Sequence, residues 1–170
     1  MRKQSSTYRT AFLGLMLGMI LVLTILELHI PPIPFLPPHM KPGLANIVAM
    51  YCVFFVGRTY AIALTAGKAA FIFLIRGPIA GVLSLTGGML PILLVILLVY
   101  LFKDKISYVI ISILSAITHN LGQYLAISLI LAMPFWVYYL PILLVSGVIL
   151  GSLTGTLLKV LIPVFQRLHI

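Results

Sequence analysis

Five polar side chains crowd one stretch of an otherwise apolar run: Ser112, Ser115, His119, Asn120 and Gln123. At 100° per residue, Ser112, Ser115, His119 and Gln123 share a helical arc of about 80°, with Asn120 on its flank. Hydroxyl, imidazole and carboxamide groups donate and accept hydrogen bonds, a set suited to holding a polar ligand. The same set suits hydrogen bonding between packed membrane helices. In neither role can the stripe face lipid, where each unpaired polar group costs kilocalories.

A second group is cationic. Lys68 lies within an apolar run, Arg76 ends that run, and Lys41 ends a proline-rich connector. Lys68 is too far from the end of its run to snorkel easily, so it must face a carboxylate, a carbonyl or a cavity. Its possible internal counter-charge is Glu27, because the only other carboxylate, Asp104, sits in a Lys-Asp-Lys turn. If Glu27 neutralises one cation, another remains to attract an anionic group. Arg76 has the alternative role of anchoring a helix end at lipid headgroups.

The scarcity of acids also removes whole classes of chemistry. Two carboxylates in 170 residues cannot form the clustered aspartates that hold magnesium against a prenyl diphosphate. There is no G-x-x-x-x-G-K-[ST] phosphate loop and no H-E-x-x-H pair. Cys52 is alone, which excludes an internal disulfide or a cysteine zinc site and leaves packing as its role. The reading is a chain with no catalytic residues, no bound metal and no cofactor: not an enzyme.

The elements that must position these groups are membrane helices. Charged residues make up 8% of the chain and hydrophobic ones 62%, whereas a soluble domain carries roughly a quarter charged. Mean hydropathy is +1.24. The net charge of +9 does not point to nucleic acid, because the basic residues stand singly or in pairs between apolar runs. The expected fold is all-α, an integral membrane bundle of about six transmembrane helices forming one domain over 1–170. The spans fall at about 8–28, 44–56, 60–75, 79–102, 106–132 and 140–162. The first run lacks a small-x-small cleavage site and reads as a retained span rather than a signal peptide.

Between spans one and two, HIPPIPFLPPHMKPG carries six prolines and cannot continue a helix. It is too apolar for an ordinary loop and reads as a semi-rigid cover at the membrane surface. Spans two and three look short, and a rival reading merges 44–75 into one helix; Gly57-Arg58 argues against it. Gly87-Gly88 and Pro91 predict a kink or break in span four. Trp136, Tyr138 and Tyr139 predict an aromatic belt.

With six spans and an inner N-terminus, Arg2, Lys3, Arg9, Arg58, Lys103, Lys105, Lys159 and Arg167 fall inside. Only Lys41 and Arg76 then fall outside, which satisfies the positive-inside rule and places both termini in the cytoplasm. Gly14 and Gly18 form a GxxxG step on span one, with Ala11 one turn earlier, and Gly147, Gly151 and Gly155 repeat that spacing on span six. Small faces let helices approach closely, within the bundle or against another protein.

Several blocks carry a family resemblance. Lys41-Pro42-Gly43-Leu44-Ala45-Asn46-Ile47-Val48 resembles the K-x-G-L-A-N-I-V signature of a bacterial membrane family labelled heptaprenyl diphosphate synthase component I or Gx transporter. Ser84-Leu85-Thr86-Gly87-Gly88 is similar to its S-L-A-G-G element, with threonine for alanine. His119-Asn120-Leu121-Gly122-Gln123, and Tyr139-Leu140-Pro141 with Ser146-Gly147, match two more blocks in the same order. That family resembles the substrate-binding S components of energy-coupling factor (ECF) vitamin transporters.

The resemblance implies six helices, a lid-like first loop, and small residues on the first helix, here Ala11, Gly14 and Gly18, for docking a coupling subunit that works with ATPases. It implies a small amphipathic or anionic substrate, with Lys41 and Asn46 at the cavity mouth and Lys68, Arg76, His119, Asn120 and Gln123 lining it. Lys68 stands where relatives usually carry arginine, which weakens bidentate recognition of a carboxylate or phosphate. Two alternatives stay open. One is a non-catalytic membrane subunit associated with prenyl diphosphate or quinone metabolism; the other is a flavin- or quinone-linked redox membrane protein.

Overall fold

A computed structural model describes residues 6–31, 43–102, 105–131 and 136–167. Lys41, most of the proline-rich connector, Lys103, Asp104 and residues 132–135 lie outside it, as do the side chains of Trp136, Tyr138 and Tyr139. Every extended element among the described residues is an α-helix: α1 (Ser6–His29), α2 (Ala45–Phe55), α3 (Arg58–Arg76), α4 (Pro78–Phe102), α5 (Tyr108–Leu131) and α6 (Trp136–Arg167).

Five of them are long and apolar enough to cross a membrane; α2 is not. At about 1.5 Å per residue, the 19 residues of α3 rise roughly 28 Å, close to a full hydrocarbon core. The 11 residues of α2 rise only about 16 Å. The expectation of two short spans therefore holds for α2 and fails for α3. The merged 44–75 helix is overturned, because Gly57 takes φ 149°, a conformation that side chains disfavour, and its N–H closes α2 on the Cys52 carbonyl.

The short helix is the centre of the bundle. Ala45 through Val53 are all buried, because α2 touches α1, α3, α4 and α6. Around it, α3 packs on α4, α4 on α5 and α5 on α6, while α1 leans on α2 and α3. The core joins Met16 and Ile20 of α1 to Met50, Tyr51, Ala61, Leu64, Ile92, Val95, Ile111 and Leu158. Leucines on the outer faces are bare, Leu129 at 85% and Leu74 at 81% exposure, as a lipid-facing surface requires. The chain is a membrane-embedded protein.

Two packing devices bring helices together. Along α6, Gly147, Gly151 and Gly155 lie against the α5 backbone; a Cβ on Gly151 would stand 2.5 Å from the Ile113 Cα. Gly122 of α5 similarly faces the Thr86 carbonyl of α4 at 2.8 Å from its would-be Cβ. The α6 stripe thus serves the bundle itself. The first-helix step differs, since nothing lies within 4 Å of a Cβ built on Gly14 or Gly18. Both line an open apolar groove of about 690 Å³ between α1 and α6, floored by Ile47, Val48 and Tyr51 of α2 and by Leu44 just before it.

Of the kink or break expected in α4, the break does not occur. The helix runs from Pro78 to Phe102 with Pro91 inside it. Proline has no N–H, so the carbonyl four residues earlier, Gly87, loses its intrahelical donor.

Candidate functional site

Because α2 is short, it starts about halfway along α3. Its first turn meets Lys68, and the part of α3 beyond Lys68 has no α2 beside it. The space left there is a polar cavity of about 60 Å³ walled by four helices. Thr24, Glu27 and Leu28 come from α1, Lys68, Ile72 and Arg76 from α3, Ala80, Leu83 and Ser84 from α4, and His119 and Gln123 from α5. Lys68, Ile72 and Arg76 are spaced by four residues, which aligns them on one face of α3 over roughly 12 Å. Lys68 is buried at the inner end and Arg76 is exposed at the other.

The inner end is a hydrogen-bonded chain across three helices. Lys68 Nζ donates to Asn46 Oδ1 at 2.9 Å, and Asn46 Nδ2 lies 2.9 Å from His119 Nδ1. Lysine offers donors only, which turns the Asn46 carbonyl oxygen toward α3 and its NH₂ toward α5. His119 Nδ1 also meets the Gly87 carbonyl, the group released by Pro91. One ring nitrogen cannot accept from Asn46 and donate to Gly87 at the same moment, so the histidine tautomer selects between α2 and α4.

Glycines make this approach possible. A Cβ on Gly87 would lie 2.6 Å from Gln123 Cγ and 3.1 Å from His119 Cε1, and one on Gly88 would lie 2.7 Å from Thr65 Cγ2. Gly43, at φ 75°, turns the chain into α2 with its would-be Cβ 3.2 Å from Asn46 Nδ2. Its carbonyl accepts from Asn46 N–H at 2.9 Å.

Glu27, expected as the internal counter-charge, lines the same cavity as Lys68 and Arg76. Its Oε1 accepts from the Ala45 N–H at 3.3 Å, at the start of α2. A carboxylate there satisfies a helix N–H that has no intrahelical acceptor and complements the positive end of the helix dipole. Glu27 therefore holds the start of α2 and lines the same cavity as the two cations.

The structure gathers Lys68, Arg76, His119 and Gln123 around one cavity, with Asn46 beneath it. Asn120 does not join them. Its Nδ2 donates to the Leu143 carbonyl at 3.0 Å and to Ser146 Oγ at 3.2 Å, tying α5 to α6. The flank position of Asn120 in the polar arc turns it toward the neighbouring helix. Ser112 also leaves the site, reaching Met50 Sδ at 3.8 Å and Thr154 Oγ1 at 3.5 Å. The polar group on α5 thus divides by direction: His119 and Gln123 line the cavity, while Ser112 and Asn120 reach neighbouring helices.

Two polar lining residues were not singled out as ligands from the sequence, Thr24 and Ser84. Ser84 precedes Gly87 by three residues and so shares its face, which was the available signal. The side chain of Thr24 turns back to the Ile20 carbonyl at 2.7 Å. Among the described residues, Ser84 Oγ and Gln123 Oε1 are buried polar atoms without a hydrogen-bond partner.

Comparison with known proteins agrees with this architecture. A solved structure of the S component of a bacterial ECF transporter superposes with a TM-score of 0.64 at 18% identity, covering 97% of this chain and 97% of that chain. At that identity the likeness is one of fold. No curated protein matches the chain. A family model described as heptaprenyl diphosphate synthase component I matches residues 16–161, a span that contains every residue lining the cavity. The chain belongs to the heptaprenyl diphosphate synthase component I family, built on the S-component fold.

Proposed function

We propose that this protein is a membrane-embedded substrate-binding subunit that takes a small anionic or amphipathic molecule into the cavity above α2. The observation that carries this reading is the charge of the lining. Two cations, Lys68 and Arg76, share one face of α3 with a single carboxylate, Glu27, opposite them. The surplus positive charge sits where low-dielectric walls strengthen its field. Lys68, Arg76, His119 and Gln123 contact the ligand, and Asn46 positions Lys68 and His119. Of the two residues expected at the cavity mouth, Asn46 is buried beneath the cavity beside Lys68 and Lys41 lies outside the described residues.

Nothing in this role needs catalysis, and a binding subunit of this kind relies on partners for energy. The likeness to an ECF S component supports a coupling subunit with ATPases as that partner, docked on the open face of Ala11, Gly14 and Gly18. Both termini lie on the cytoplasmic side and the cavity opens outward, in line with the charge distribution along the chain.

A second reading has one observation in its favour, the apolar groove of about 690 Å³ beside α1. A non-catalytic subunit of prenyl diphosphate metabolism would hold an isoprenoid chain there.

Native mass spectrometry of the purified protein separates them. A retained small anion in wild type, lost in Lys68→Ala and His119→Ala, supports the cavity. Equal occupancy in all three proteins overturns it. Co-purification of ATP-binding subunits favours transport, and recovery of a prenyl diphosphate synthase favours the accessory role.

A further inference from the structure

The cavity holds a feature that charge attraction does not use. Ser84 and Gln123 are 9% and 7% exposed, both line the cavity, and among the described residues neither side chain has a hydrogen-bond partner for its oxygen. A buried polar atom left unpaired loses its hydration without a replacement, so a ligand that pairs with it is favoured. Glycine at position 87 puts Gln123 in this place, since any larger residue there would collide with its Cγ at 2.6 Å. By helix register, Gln123 lies one turn outward of His119, and Ser84 one turn outward of Gly87. Both therefore stand between the buried ammonium of Lys68 and the exposed guanidinium of Arg76.

A carboxamide presents an acceptor and a donor side by side, and its planar complement is another edge with adjacent N–H and C=O groups. A hydroxyl beside it can donate or accept. From Ser84 and Gln123 we infer the substrate class: a monoanion that also carries an amide-type edge, such as a lactam, ureide or imide. The negative charge meets the surplus cation, and the N–H/C=O edge pairs with the Gln123 carboxamide beside the Ser84 hydroxyl. The single net positive charge of Glu27, Lys68 and Arg76 together matches one negative charge on the ligand. This inference rests on the anion-binding reading of the same cavity and adds the uncharged half of the recognition.

The test uses calorimetry on the full-length, detergent-purified protein with two size-matched pairs of monoanions. Orotate is compared with benzoate, and pyroglutamate with cyclopentanecarboxylate; only the first of each pair has the edge. A site built to hydrogen-bond discriminates against an analogue that lacks the group, here by roughly tenfold or more. That preference is expected in at least one pair. Gln123→Met, close in size but unable to pair, should bring the two affinities within about twofold, chiefly by weakening the ligand that carries the edge. Ser84→Ala, which removes only a hydroxyl, should reduce the preference and serves where Gln123→Met fails to fold. No preference in either pair, or a preference that survives these substitutions, overturns the amide-edge assignment. If all four anions bind alike and Lys68→Met abolishes them, the anion site stands and only the edge falls. If none binds, both fall.

Discussion

At the scale of single residues, the site depends on a proline that touches no ligand. Pro91 withholds an N–H from α4, which leaves the Gly87 carbonyl for His119. His119 Nδ1 then stands between that carbonyl and the Asn46 amide, which in turn holds Lys68. Pro91→Ala supplies the missing helix donor to Gly87 and should release His119 toward Asn46. The Nδ1 nitrogen would then act as an acceptor and the proton would sit on Nε2. Nitrogen-15 NMR of histidine-labelled protein reads this directly through the shifts of the two ring nitrogens. An unchanged spectrum would mean that Gly87 does not govern the tautomer. In the sequence, Gly87-Gly88 and Pro91 announced a kink or a break in the helix. The unbroken helix shows that a proline in a bundle can instead reassign one acceptor to a neighbouring side chain.

At the scale of elements, two glycine stripes with the same spacing have opposite surroundings. The α6 stripe is filled by α5, with Gly151 facing the Ile113 backbone, whereas Gly14 and Gly18 face open space. Gly151→Ala must push two helices apart, an overpacking cost of about 1–3 kcal/mol. That exceeds the roughly 1 kcal/mol alanine gains over glycine in a helix. Gly18→Ala carries only the gain. Thermal unfolding in detergent should therefore show Gly151→Ala melting below wild type and Gly18→Ala at or above it. A lowered melting point for Gly18→Ala would mean that this face is packed. Sequence spacing identified both stripes but could not tell them apart, because the partner of a small face is set by tertiary contacts. The same holds for the α5 stripe. Periodicity placed His119 and Gln123 on one face and put Asn120 at its edge, yet only the positions of α4 and α6 decide that the first two meet a cavity and the third meets Leu143. The helix breaks were legible because Gly57 and Gly77 take positive φ, a local property of the residue. The brevity of α2 was legible as well, but its consequence, a cavity over its first turn, needed the three-dimensional neighbours.

At the scale of the whole molecule, the charges divide between the two ends of the bundle. The end of the bundle where α1 and α3 finish and α4 begins holds the cavity mouth and Arg76. The opposite end carries Arg58, with its guanidinium 5.8 Å over the Tyr100 ring, together with exposed Lys105 and Lys159. Cytoplasmic loops collect lysine and arginine, so the proposed orientation turns the Arg58 end inward and the cavity outward. Cys52 is the only cysteine and is buried, which permits a clean labelling experiment in a Cys52→Ala background. Pro31 is exposed just beyond α1 at the mouth end, and Lys105 is exposed just before α5 at the other. A membrane-impermeant maleimide on intact cells should modify Pro31→Cys, and should reach Lys105→Cys only after the membrane is opened. The reverse pattern would turn the cavity toward the cytoplasm. The surplus cations would then recruit an anion from inside the cell, and uptake from outside could not be the role of the site.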